Sequence, residues 1–184
     1  MIGLAFNLVE HYLLDQRDEA ALAAALATGG FADADPWLDS LAYPDADFRR
    51  WVLAAAEQDA VDLDEFLRRL GRWAMPRLIR RYTLLPTTPR SPKDLIGDLS
   101  AVVFPQLRRA LLGVSTADFV LDCGHTGADF TYRPSGELCQ TIQGALLGLG
   151  DHFGVPLSVR EIRCGRQGDG SCCFHLDFYT PVSS

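Results

Sequence analysis

The chain has 184 residues, of which 48% are hydrophobic and 22% are charged, and this composition is typical of one soluble globular domain. Its formal net charge of -7 argues against general binding to nucleic acid, because that interaction depends on a basic surface. No apolar run approaches the roughly 20 residues that a membrane-spanning helix requires.

The cellular location is predicted from the N-terminus and the cysteines. Residues 1–16 lack the basic region and the small-residue cleavage site of a signal peptide. The chain has five cysteines, and an odd number without an export signal favours a reducing compartment in which thiols are free or bind metal. We therefore expect a cytoplasmic protein.

The first half of the chain is predicted to be mainly helical. Apolar residues recur at helical spacing from Ile2 to Leu13, and an alanine-rich helix follows from Arg17 to a glycine pair that ends at Gly30. After a turn-rich segment and a third helix, Asp62 and Glu65 form a pattern that is typical of a capping box at the start of a fourth. Pro76 lies inside this fourth pattern and should kink the helix or split it in two.

The pattern changes from helix to strand after Gly113, where a helix predicted for residues 94–113 ends. Short alternating segments on either side of residues 124–127 predict one hairpin, and a second is predicted around the Asp-Gly turn in residues 166–170. A helix from about Glu137 to His152 lies between the two hairpins.

These elements together predict an α+β fold in a single domain, residues 1–184. A mainly helical subdomain, residues 1–113, is expected to form a bundle beside a ββαββ subdomain, residues 114–184. In the second subdomain, four strands would form a small antiparallel sheet with one helix crossing it.

Several short segments, in a particular order and spacing, carry a resemblance to a known family. They are Met1-x-Gly3, Tyr43-Pro44-Asp45, Gly71-Arg72, residues 102–107 (VVFPQL), residues 132–139 (YRPSGELC), and the C-x7-C pair Cys164 and Cys172. In this order they resemble the heme–nitric oxide/oxygen binding (H-NOX) family over essentially the whole chain. The resemblance implies an H-NOX-like sensory domain that acts through a partner, such as a histidine kinase or a cyclic-nucleotide or cyclic-di-GMP enzyme.

The same resemblance predicts that heme is not bound in the family manner. The position of the proximal histidine matches Phe104, which has no lone pair to give to iron. In the Y-x-S-x-R motif that holds the heme propionates, Tyr132 is present, but Pro134 and Gly136 replace the serine and the arginine. The bidentate arginine–carboxylate contact, which would orient a propionate strongly, is therefore lost.

The resemblance also indicates which residues would border the space that heme fills in the family. They are Ala5, Val9, Ala74, Leu78, Phe104, Tyr132, Pro134, Gly136, Thr141 and Ala145. Protein interiors do not stay empty at low cost. We therefore expect either that bulky groups such as Trp73, Met75 and Phe104 fill this pocket, or that a small apolar ligand does.

Three cysteines match positions at which a subset of H-NOX proteins bind structural zinc through four cysteines: Cys139, Cys164 and Cys172. The fourth cysteine would lie three residues before Cys164, where this chain has Glu161, so Glu161, Cys173 and His175 are the alternatives for the fourth ligand. Alternation along a strand places Cys173 and His175 on the face opposite Cys172, so both are weaker candidates for the fourth ligand than Glu161. Reversible oxidation of the thiols and inert burial are the alternatives to zinc.

The sequence predicts no enzyme, because it contains no Gly-x-Ser-x-Gly elbow, no P-loop and no H-E-x-x-H motif. We expect a stand-alone, cytoplasmic, bacterial regulatory domain that signals in trans to a separate protein. Its input would be a small apolar ligand in the former heme pocket, or the redox or zinc state of its cysteines. Two alternatives stay open: a heme-based nitric oxide/oxygen sensor with a substitute iron ligand, and a ligand-free structural adaptor.

Overall fold

The computed structural model describes residues 1–82, 119–123, 127–132 and 138–178. Their elements are α1 Gly3–Gln16, α2 Glu19–Gly29, α3 Asp45–Asp59, α4 Leu63–Tyr82, β1 Phe119–Cys123, β2 Gly127–Tyr132, α5 Cys139–Phe153, β3 Leu157–Arg163, a 3₁₀ turn Gly165–Gln167 and β4 Cys172–Phe178. Helices combined with an antiparallel sheet confirm the predicted α+β class. The helix predicted for residues 94–113 and the subdomain boundary predicted after residue 113 lie outside the described residues.

The chain divides into two compact units, Met1–Leu70 and Gly71–Ser184. The core of the first unit contains a cluster of aromatic side chains among aliphatic ones. The ring centroid of Trp37 lies 4.9 Å from that of Phe6 and 5.5 Å from that of Trp51. The indole N–H of Trp51 donates to the carbonyl oxygen of Phe6 at 3.2 Å, so this fully buried ring has its one polar atom satisfied.

The helix ends of the first unit follow the sequence signals. The carboxylate of Asp18 accepts a hydrogen bond from the Ala21 backbone N–H and caps α2, which ends at Gly30 with a φ of 75°. At the start of α4, the carboxylate of Asp62 accepts from the Glu65 backbone N–H at 2.8 Å. The predicted cap at Asp62 and the glycine stop at Gly30 are therefore confirmed.

Helix α4 continues through Pro76 and is not split there. Proline removes one backbone hydrogen bond, which would otherwise join its nitrogen to the carbonyl oxygen of Arg72. Beside this position, the guanidinium of Arg77 lies 4.0 Å from the ring centroid of Trp73 and donates to the Trp73 carbonyl oxygen at 3.1 Å. This cation–π contact supports the helix where the backbone hydrogen bond is missing.

In the second unit, α5 packs closely against the part of α4 that begins at Gly71. A Cβ at Gly71 would lie 2.1 Å from the carbonyl oxygen of Thr141, and a Cβ at Gly148 would lie 2.4 Å from that of Arg72. The two glycines therefore let the helix backbones approach to a distance that any side chain would prevent. On the surface, the guanidinium of Arg72 makes a bidentate pair with Asp151 at 2.6 and 2.9 Å.

The four described strands form an antiparallel sheet in the order β1-β2-β4-β3, which confirms both predicted hairpins. Alternate side chains of β4 point to one face and are buried there, namely Cys172, Phe174 and Leu176. Together with side chains from β2, β3 and α5 they form the core of the second unit. Among the described residues, no helix is both long and apolar enough to cross a membrane.

Candidate functional site

Three thiols and one carboxylate converge in the second unit. Cys139 is the first residue of α5, Glu161 lies in β3, Cys164 follows the end of β3, and Cys172 is the first residue of β4. One ligand atom from each of these four residues lies within 4.8 Å of the other three. We call this group the thiol–carboxylate cluster.

The sheet register explains why Glu161 joins the cysteines. Glu161 is paired with Phe174, whose side chain lies on the core face of β4 together with that of Cys172. The register between β3 and β4 then shifts between Glu161 and Arg163. A bulge of this kind redirects the side chains beside it, and here it lies between Glu161 and Cys164.

The β3–β4 connection holds its two cysteines through backbone hydrogen bonds. The carboxylate of Asp169 accepts from the Cys164 backbone N–H at 3.1 Å, and the Gly165 backbone N–H donates to Cys172 Sγ at 3.3 Å. Gly168 and Gly170 complete the turn with φ values of 99° and 69°, which favour glycine. An amide N–H aimed at a sulfur atom stabilises negative charge on that sulfur, as a metal thiolate requires.

Burial favours the protonated form of two thiols of the metal-free cluster, Cys139 and Cys172. It raises the pKa of Cys139 to about 12, and the neighbouring Cys172 adds to the effect. Burial also raises the pKa of Cys172, against the opposing effect of the Gly165 backbone N–H. The sulfur atoms of Cys139 and Cys164 are 3.9 Å apart, and neither forms a disulfide. A protonated, buried thiol is a poor nucleophile, whereas metal binding replaces its proton.

The carboxylate of Glu161 has one satisfied and one unsatisfied oxygen. Its Oε2 accepts a hydrogen bond from Gln140 Nε2 at 3.3 Å. Its Oε1 is buried and has no hydrogen-bond partner among the described residues. Buried carboxylate oxygens are almost always paired, so an unsatisfied one on a residue of this cluster is a candidate ligand atom. Three thiolates and one carboxylate are a donor set that fits zinc.

The other two alternatives for the fourth ligand lie on the opposite face of β4. Cys173 is buried there and accepts a hydrogen bond from the Thr131 hydroxyl at 3.5 Å. Both ring nitrogens of His175 face carboxylates, with Nδ1 2.5 Å from Asp129 and Nε2 3.1 Å from Asp177. The structure therefore brings Glu161 to the three cysteines, and it brings neither Cys173 nor His175.

The residues predicted to border the former heme pocket are described only in part. Phe104, Pro134 and Gly136 lie outside the described residues, and only the backbone of Tyr132 is described. In the first unit, Val9 is fully buried and Ala5 is half-buried. The remaining members lie in the second unit, where Ala74 is buried and Leu78, Thr141 and Ala145 are half-buried. Of the bulky groups expected to fill this pocket, Trp73 is half-buried and Met75 is buried, both on α4.

Sequence reasoning missed one residue of the site, Gln140. It is 5% exposed, and its amide reaches from α5 to Glu161 on β3. The only signal available in the sequence was its place directly after Cys139, since the period of the helix alone does not indicate which side chain meets a given strand.

Comparisons with known proteins agree with this fold. A family model described as Haem-NO-binding matches residues 2–161. A mutant H-NOX protein from S. oneidensis in the Fe(II) state has a TM-score of 0.83 and 15% identity, with 98% of this chain and 97% of that chain covered. A mutant H-NOX protein from K. algicida in the unliganded Fe(II) state has a TM-score of 0.80 and 12% identity, with 99% and 98% covered.

A mutant H-NOX protein from T. tengcongensis has a TM-score of 0.78 and 18% identity over 100% of both chains. At these identities the solved structures show that the fold is shared. No curated protein sequence matches the chain.

Proposed function

The chain belongs to the Haem-NO-binding family, and on that basis we propose that it is a sensory domain whose input is the metal state of the thiol–carboxylate cluster. In this proposal the domain does not hold heme in the family manner. It passes its signal to a separate protein, a histidine kinase or a cyclic-nucleotide or cyclic-di-GMP enzyme, and it catalyses no reaction itself.

The observation that carries the proposal is that Glu161, whose carboxylate lies with the three thiols, has a buried oxygen that is unsatisfied among the described residues. All four ligand atoms of the cluster lie close together, and Oε1 has no hydrogen-bond partner among the described residues. Zinc bound by this cluster in tetrahedral coordination would link the start of α5 to β3 and β4. Zinc occupancy of the cluster would then change the stability of the second unit, because metal-binding free energy adds to folding free energy.

Metal occupancy is a better-supported input than direct oxidation of the thiols. Burial raises the pKa of Cys139 to about 12, so that the thiol stays protonated at neutral pH. Oxidation requires the thiolate, which this environment disfavours. Oxidation of Cys139 and Cys172 in the metal-free protein is therefore disfavoured, and the metal state is the better-supported input.

The residues of this chain do not fit heme as the family holds it. A phenylalanine, Phe104, stands at the proximal position, and the motif for the propionates has lost its serine and arginine. The described histidines do not offer a clear substitute for the iron ligand. His11 is exposed on α1, His152 packs its ring against Phe153 with centroids 4.7 Å apart, and both nitrogens of His175 face carboxylates.

The proposal is tested by an absorption spectrum and elemental analysis of the protein, purified from cells that are supplied with a heme precursor. We expect no Soret band and about one zinc ion per chain. A Soret band at near-stoichiometric heme would overturn the heme-free part of the proposal and support a gas sensor with a substitute ligand. Protein that contains neither heme nor zinc, and takes up no zinc when it is added, would overturn the metal input.

A further inference from the structure

A carboxylate can act as the fourth ligand only if one of its oxygens is held towards the metal. We infer that Gln140 is the residue that positions Glu161 in the thiol–carboxylate cluster, an inference that rests on the metal site proposed above. The amide of Gln140 binds one oxygen of the carboxylate and leaves the other, Oε1, without a hydrogen-bond partner among the described residues and available to a metal.

The two oxygens of the Glu161 carboxylate differ in their hydrogen bonding, and this difference supports the role of Gln140. Oε2 accepts from Gln140 Nε2 at 3.3 Å, whereas Oε1 is buried and unsatisfied among the described residues. A glutamate side chain has several rotatable bonds, and β3 is irregular just after Glu161. The hydrogen bond from Gln140 is a second contact, and it restricts the orientation of this carboxylate. Metal-ligating groups are commonly held in this way by a hydrogen bond from outside the ligand set.

The burial of Gln140 gives independent support. Glutamine is mostly a surface residue, yet Gln140 is only 5% exposed at the start of α5. Its neighbour along the helix is Cys139, so the residue that would orient the fourth ligand follows the first ligand directly. One turn of helix thus contributes a ligand from α5 and controls a second ligand from β3.

The chain contains a matched control for this role. Gln143 lies on the same helix, and its amide also reaches β3, where it donates to the carbonyl oxygen of Val159 at 3.1 Å. This contact ties α5 to β3 but involves no member of the cluster. Replacing Gln143 therefore reports the cost of losing a glutamine contact between these two elements without changing the carboxylate.

The experiment measures the zinc affinity of the full chain by competition with a chromophoric chelator. The variants are Gln140→Leu, Gln143→Leu and Glu161→Cys, together with Glu161→Cys combined with Gln140→Leu. The absorption spectrum of the cobalt-substituted proteins provides a second measurement of the ligand set. Circular dichroism of the metal-free variants checks that each one is folded.

Loss of an outer contact to a metal ligand typically weakens metal binding 10- to 100-fold. We expect a loss of about this size for Gln140→Leu and a change of less than about 3-fold for Gln143→Leu. In the Glu161→Cys background, Gln140→Leu should cost less than about 3-fold, because a thiolate at this position does not need the amide to orient it. The Gln140→Leu cobalt spectrum should also shift, which a general loss of stability would not produce.

Two results separate failure of the inference from failure of the metal site. If the wild type binds zinc but Gln140→Leu and Gln143→Leu have equal affinities, the positioning role of Gln140 is wrong and the metal site stands. The same conclusion follows if Gln140→Leu weakens binding equally in the wild-type and Glu161→Cys backgrounds. If the wild type binds no zinc, both the site and the inference fail.

Discussion

Each compact unit of this protein has a carboxylate that is at least partly buried, and the two acids differ in how their oxygens are satisfied. In the first unit, Asp59 is 5% exposed, and its carboxylate accepts hydrogen bonds from Arg17 Nε at 2.9 Å and from the hydroxyl of Tyr12 at 3.2 Å. The guanidinium of Arg69 lies 3.6 Å away, and Arg17 also donates to the Asp59 carbonyl oxygen. In the second unit, Glu161 keeps one oxygen unsatisfied among the described residues.

The difference indicates which acid is structural and which is available to a ligand. A buried carboxylate is stable only when its charge is compensated and its oxygens are paired. Asp59 meets both conditions through side chains of the first unit, so it links the end of α3 to α1 and α4. Glu161 meets them only in part, and a cation bound by the three neighbouring thiolates would complete them. The following predictions test this contrast, from the largest expected effect to the smallest.

Removal of zinc should have the largest effect, and it should depend on the cysteines of the cluster. A ligand at 100 to 1,000 times its dissociation constant stabilises a protein by about 3 to 4 kcal/mol. We therefore expect a strong chelator to lower the melting temperature of the zinc-loaded protein by roughly 6–16 °C. Cys164→Ser should abolish this response, whereas Cys173→Ser, on the opposite face, should retain it. Equal chelator responses in the two variants would contradict the site.

Asp59→Asn should have the next largest effect, and that effect should not depend on metal. Hydrogen bonds to a charged group contribute about 1.5–3 kcal/mol, so we expect a loss of about 2–3 kcal/mol in the free energy of unfolding. Asp47→Asn, which breaks an exposed pair with Arg50, should cost less than about 1 kcal/mol. Urea unfolding with and without chelator measures both. If chelator changes the cost of Asp59→Asn, the two acids do not differ as described.

Glu161→Gln should change stability in opposite directions with and without zinc. In the metal-free protein the substitution replaces a half-buried carboxylate, one oxygen of which is buried and unsatisfied, by a neutral amide, so the free energy of unfolding should rise by about 1 kcal/mol. In the zinc-loaded protein it removes a charged ligand, and stability should fall. Urea unfolding of both forms measures the two signs. A loss of stability in the metal-free variant would mean that Glu161 is satisfied without metal.

The smallest effect concerns His175 on the other face of the sheet. Its hydrogen bond to Asp129 is the main cause that raises the pKa of His175, and the charge of Asp177 adds to it against the effect of burial. Because the folded-state pKa is raised, the stabilisation is fully present below the unfolded pKa and is lost as pH rises through the folded value. His175→Asn should therefore lower the melting temperature most near pH 5.5, and the difference should shrink towards pH 8. In an Asp129→Asn background, the difference in melting temperature caused by His175→Asn should depend less on pH. A difference that grows as pH rises would contradict the raised pKa of His175.

Much of the fold follows from local patterns in the sequence. Helical spacing identifies α1, the glycine at the end of α2 has the positive φ that its position suggests, and Asp62 caps α4. The hairpins follow from alternating segments around turn residues. Pro76 is the exception, because α4 continues through it where the sequence allowed a split. Trp73 and Arg77 are four positions apart, the spacing at which side chains meet on one helix, and their contact lies beside Pro76.

The only part of the candidate site's geometry that the sequence predicts is the face of β4 on which each side chain lies. Alternation along β4 was sufficient to place Cys173 and His175 away from Cys172, and the structure agrees. Whether Glu161 reaches the cysteines depends on the register and the bulge between β3 and β4, which the sequence does not specify. The contact from Gln140 and the hydrogen bonds that Asp59 accepts from Tyr12 and Arg17 join residues that are 21 to 47 positions apart, so no local pattern reveals them.

The most direct test of the central claim is X-ray absorption at the zinc edge of the purified wild-type protein. We predict a first shell of three sulfur atoms at about 2.3 Å and one oxygen atom at about 2.0–2.2 Å, from Cys139, Cys164, Cys172 and Glu161. In Glu161→Cys the shell should become four sulfur atoms. A wild-type shell without sulfur, one dominated by imidazole, or a protein that cannot be loaded with zinc would contradict the account.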